Sequence, residues 1–139
     1  MTSVNLPSKK ILTLEAARAI GDVALAEATK RGLKKLVVVV TDDAGRLIFL
    51  ARQDEAEPAA IEIGIAKARS AAIFQKPTKE WKERLLSGAT WVLAMPNLTP
   101  VEGGLPILVD GMIVGGVGIA GASGVLDTEI GTAAVRALA

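Results

Sequence analysis

The chain has no histidine, no cysteine and no tyrosine among its 139 residues, and only two Phe and two Trp. Each absence removes a class of chemistry. Without cysteine there are no disulfides and no thiolate ligands, and without histidine the commonest metal ligand and the commonest general base are both missing. A zinc centre and a Ser-His-Asp triad are excluded. Half of the residues are hydrophobic, so a core with so few aromatics has to be built from Ala, Val, Ile and Leu.

Charge of one sign is lacking too. Sixteen Lys and Arg stand against fifteen Asp and Glu, without blocks of either, which leaves no basic face for nucleic acid or anionic lipid. Nowhere do about 18 apolar residues follow one another, and Met1 to Lys10 is polar, so the expectation is a cytoplasmic protein with no membrane partner. The length suits a single domain over 1–139, with 1–10 as a flexible N-terminal segment. A mean hydropathy of +0.41 in so small a chain points to apolar surface covered by other subunits, hence a homo-oligomer.

What is present is strong periodicity. Thr13 precedes Ala16, Ala17, Ile20, Val23, Ala24 and Ala28, a helical spacing, and Gly32 is a suitable stop, which predicts a helix over 13–31. Leu36 to Thr41 and Arg46 to Arg52, joined by Asp42-Asp43-Ala44-Gly45, predict a hairpin whose first strand is buried on both faces. Asp42 and Asp43 lack the regular ligand spacing of a calcium loop and read as turn residues, so no metal site is expected. Pro58 opens a helix to Phe74, Thr78 caps a short amphipathic one ending at Gly88, and Thr90 to Met95 reads as a strand. Leu105 to Val109, Asp110-Gly111 and Met112 to Ala120 form a second hairpin. A closing helix starts with Asp127 as its cap and runs through Leu138. The order predicts an α+β fold with about five antiparallel strands in one sheet and helices packed against it.

Gly116-Val117-Gly118-Ile119-Ala120-Gly121 matches G-x-G-x-x-G, but it lies inside a strand and not at a strand-to-helix turn. Its small residues are read as allowing a helix or a neighbouring subunit to approach the sheet closely. Glu102-Gly103-Gly104 is the better site candidate, because glycines let the backbone approach a ligand and the carboxylate can move a proton, although the glycines can equally serve only to turn the chain. Lys67 and Arg69 sit on a nearly apolar helix and need partners. These are Glu62 or a carboxylate on another element, or the carboxylate of a ligand, for which Arg69 is suited by bidentate pairing. Arg52, Thr78 and Asn97 are further binding candidates, with caps and solvated surface as the alternative for each.

Four segments in order carry a family resemblance: Asp43-Ala44-Gly45-Arg46-Leu47 with Arg52-Gln53-Asp54; Glu62 to Ala71, continuing to Phe74 and Pro77-Thr78; Glu102-Gly103-Gly104-Leu105-Pro106-Ile107; and Asp110-Gly111 through Gly115 to Gly121 and Asp127. They resemble the GlcG/HbpS family and the C-terminal domain of PduO-type proteins over essentially the whole chain from Leu12. The resemblance implies a profilin-like α+β fold, assembly into dimers, tetramers or octamers, and in some members haem as a bound cofactor. Here haem or a related tetrapyrrole would be bound weakly and without a histidine ligand, leaving Met112, Met95, a lysine or a hydroxyl to face the iron. The alternative is a cofactor-independent lyase, isomerase or hydrolase acting on an organic acid, with Arg69 as anion anchor and Glu102, its pKa raised by burial, as general acid/base.

Overall fold

The computed structural model describes residues 2–138. Its elements in chain order are α1 (Leu14–Lys30), β1 (Val37–Asp42), β2 (Leu47–Arg52), α2 (Pro58–Phe74), α3 (Thr78–Leu86), β3 (Gly104–Val109), β4 (Met112–Ala120) and α4 (Gly124–Val135). The fold is α+β, with one antiparallel four-stranded sheet in the order β2-β1-β4-β3.

The period of two in β1 divides the core. Val38 and Val40 join Val117 and Ile119 of β4 on the face covered by α1 and α4, while Val37 and Val39 turn to Ala60 and Ala68 of α2 on the other. All four β1 valines are fully buried, as a strand with helices on both faces requires. On the α2 side, Gly116 and Gly118 replace side chains with contact between backbones. A Cβ at Gly118 would collide with the Gly64 carbonyl oxygen, and one at Gly116 with that of Ala68. The small residues of the glycine motif therefore let α2 lie directly on β4.

Local signals act as their chemistry dictates at most ends. Thr13 caps α1 by accepting from the Ala16 N–H at 3.1 Å, and Gly32 follows the helix at φ +73°. Asp110 and Gly111 both have positive φ, the turn that suits a two-residue hairpin. Lys9 and Lys10, in the N-terminal segment, pair with Asp43 and Asp110 in the two hairpin turns.

Three expectations are corrected. The fifth strand is absent among the described residues: Thr90–Ala94 is a 3-10 turn closed by local bonds such as Val92 N–H to the Ala89 carbonyl at 3.1 Å. Only Val92 of that apolar run is buried, and the segment packs beside α3, with Trp91 edge-on to Trp81, without a ladder partner. Thr78 does not cap α3. It is the first helical residue, and its hydroxyl accepts from the Gly104 N–H at 2.9 Å. Asp127 does not cap α4 either: Ser123 does, accepting from the Leu126 N–H at 3.2 Å, and the helix gives way to a 3-10 turn at Arg136–Leu138.

Candidate functional site

The residue displaced from the capping role organises the site. Asp127 lies one turn inside α4, and its carboxylate points inward to Lys67 of α2, with Nζ to Oδ2 at 3.1 Å and both side chains 3% exposed. The same Nζ donates to the Ile119 carbonyl at 2.8 Å, and the Ala122 N–H donates to the other Asp127 oxygen at 3.1 Å. Burial pushes the Asp127 carboxyl above its ordinary value, against the opposing pull of Lys67.

Gly103 closes over this pair. At φ +118° it presents no side chain, and a Cβ there would stand 2.6 Å from the Ile119 oxygen, 2.8 Å from Lys67 Nζ and 2.9 Å from Asp127 Cβ. Gly104 is fastened to Thr78 through the hydroxyl, and Glu102 precedes them, buried and paired with Lys82 at 2.7 Å. The Lys82 hydrogen bond holds the Glu102 carboxyl below its usual range, helped by the charges of Lys82, Lys79 and Lys67 and opposed by burial. The raised pKa expected for Glu102 belongs instead to Asp127.

The ion pair lines a cavity of about 400 Å³ between the first half of α2, the end of β4 and the start of α4. Ala59, Ala60, Ile63, Val101 and Ala120 supply apolar wall, while Lys35 and Glu57 add charge. The volume falls within the range of small-molecule pockets.

Lys67, Glu102, Gly103, Gly104 and Thr78 are thus brought together, Lys67 in the cavity wall and the others around the ion pair. Arg69 is not. Two residues beyond Lys67, it sits on another side of α2, its Cγ in the space a Cβ on Gly45 would need and its Nε 3.5 Å from the Gly45 carbonyl. Arg52, at the end of β2, and Asn97, in a loop at φ 62°, are exposed and do not line the cavity. The partner of Lys67 is a carboxylate on another element and not Glu62, which is exposed. Sequence reasoning missed Asp127, Lys35, Glu57 and Ile63 as site residues. A usable signal existed for Asp127, since Ser123 caps α4 and places Asp127 in its first turn, three residues before the apolar Ile130 on the same side of the helix.

Comparison with known families decides the relationship. A model described as "Haem degrading protein HbpS-like" matches residues 12–136. The chain belongs to the HbpS-like family. It is 39% identical over 114 residues to Protein GlcG of Escherichia coli (strain K12), covering 82% of this chain and 84% of that one. Among solved structures, a double mutant of Streptomyces reticuli HbpS is 32% identical with a TM-score of 0.88, covering all of this chain and 96% of that one. A PduOC:haem complex is 23% identical with a TM-score of 0.82, covering 92% and 95%, and shares the fold. In this HbpS-like chain the ion pair and its glycine cover join α2, α4 and the segment entering β3.

Proposed function

We propose that this domain binds haem or a related tetrapyrrole in the cavity beside Lys67 and Asp127, weakly and without a histidine ligand. The family description, with its reference to haem degradation, supports this ligand class. The observation that carries the reading is the cavity itself: about 400 Å³, apolar along Ala59, Ile63 and Val101, with Lys35 able to meet a carboxylate.

The donor set is a partial match to haem. Apolar wall and a cation suit the ring edge and a propionate, and the half-exposed Ile63 and Val101 give a larger planar ligand something to lie against. The iron has no ordinary axial ligand, because the chain has no His or Cys, and Met95 and Met112 do not line the cavity. Of the side chains that could face the iron, Lys35 and Lys67 line the cavity and Lys67 is committed to Asp127, so apolar contact is the larger source of affinity in this reading. The enzymatic alternative with Arg69 and Glu102 in one site is the weaker reading, since Arg69 is turned toward the β1–β2 turn.

The test is titration with haemin followed at the Soret band. Wild type should bind with micromolar or weaker affinity, and Ile63→Glu or Val101→Glu, both at exposed positions that line the cavity, should weaken binding about tenfold or more. Unchanged binding in both variants would reject the cavity as the site. A homo-oligomer is part of the same proposal, with exposed Leu86, Trp91, Leu93 and Met95 as apolar surface to be covered, and light scattering checks it.

A further inference from the structure

The outer face of α2 is left open to solvent. Ala60, Gly64, Ala68 and Ala71 bury the side toward the sheet, and opposite them runs the stripe Ala59, Glu62, Ala66, Arg69 and Ile73, at alternating steps of three and four. Ala66 in the middle is half-buried and the other four are exposed. That spacing is the seam along which two helices pack. A helix that is apolar nearly all round calls for neighbours on all sides.

The charges along this face are ordered, acid in the first half and base in the second. Glu57 precedes the helix and Glu62 lies within it, while Arg69 lies within and Lys76 follows. None of the four has an ion-pair partner among the described residues. Arg69 makes one long contact, from Nε to the Gly45 carbonyl at 3.5 Å. Glu62 and Arg69 stand two turns, about 10 Å, apart along the axis, beyond the spacing at which side chains on one helix meet. The helix dipole favours Glu57 and Lys76 at the ends but gives no reason for Glu62 and Arg69 in the interior.

We propose that α2 is the contact with a second copy of this chain, packed antiparallel about a two-fold axis through Ala66. Reversal sets Glu62 against Arg69 of the second copy, Ala59 against its Ile73 and Lys76 against its Glu57, and the symmetry makes each contact twice. Small meets large, acid meets base, and an alanine lies where the helices cross, so the backbones approach closely. The parallel arrangement puts Glu62 on Glu62 and Arg69 on Arg69, and like charge opposes it. A stable interface buries about 1,200 Å² or more. Exposed Ile63 and Val101, which share the cavity wall with Ala59, extend the patch beside the helix pair. The inference rests on the homo-oligomer reading and names its contact, on α2 and not on the segment from Leu86 to Met95.

The experiment is sedimentation velocity of the full chain at micromolar concentration. Wild type is expected as a dimer or a multiple of one. Glu62→Arg and Arg69→Glu each place like charges in contact twice per interface, and each should fall to half the wild-type mass or less. Glu62→Arg combined with Arg69→Glu restores opposite charges across the axis and should regain the wild-type mass. Ala66→Arg sets a cation against its own copy at the axis and should dissociate the pair in the same way. Circular dichroism follows the helical signal of each variant, and the combined variant decides the matter whether or not a single variant folds. Single variants that keep the wild-type mass, or a combined variant that does not recover it, overturn the α2 contact and leave the homo-oligomer reading standing. A monomeric wild type overturns both.

Discussion

Lys67 Nζ and the Asp127 carboxylate, 3.1 Å apart and withdrawn from solvent, tie α2 to α4 under the cover of Gly103. Removing one partner leaves the other buried and uncompensated. Lys67→Met should cost about 3–5 kcal/mol in urea denaturation, while Lys67→Met combined with Asp127→Leu should return to within about 1 kcal/mol of wild type. A loss in the double variant equal to the sum of the losses in Lys67→Met and Asp127→Leu alone would show that the pair is not coupled.

The two buried acids give opposite pH signatures. Asp127 has a folded pKa raised above 3.8, so the folded state holds its proton longer than the unfolded state, and this group costs stability as pH rises from 3.8 through the folded value. Glu102 has a folded pKa below 4.5, so its contribution is complete above 4.5 and is lost as pH falls through the folded value. Melting temperature measured against pH should therefore show Asp127→Asn gaining on wild type as pH climbs out of the acid range. Glu102→Gln should fall behind wild type over the same interval.

Gly118 is where α2 and β4 meet without side chains between them. Gly118→Ala puts a methyl group against the Gly64 carbonyl oxygen and should cost at least about 2–3 kcal/mol, read as a lower denaturation midpoint. Gly32→Ala, at a positive φ with open space around the added carbon, should cost about 1 kcal/mol from backbone strain alone.

Much of this architecture was legible in residue order. The period of two in Val37 to Val40, the Asp110-Gly111 turn and the Thr13 cap each carry a local physical signal, and each forms as its chemistry requires. The strand context of the glycine motif is itself local, and the motif lies in β4 directly beneath α2. Thr90–Ala94 misled because a short apolar run looks the same whether it enters a ladder or folds as a 3-10 turn around one buried valine. In the site, Lys67 announced its need for a partner, but Asp127 lies 60 residues away, and only the packing of α4 against β4 brings them together. Arg69 failed as an anchor for a geometric reason: two residues along a helix is more than half a turn, so it could not share a face with Lys67.

The most direct test of the account is paramagnetic NMR of the isotope-labelled chain with substoichiometric ferric haemin. If the cavity between α2, β4 and α4 is the tetrapyrrole site, the amide signals of Ile63, Lys67, Gly121 and Gly124 broaden first, all belonging to residues that line it. If those four stay sharp while signals elsewhere, such as Trp91 and Met95, are lost, the assignment of function to this cavity is contradicted.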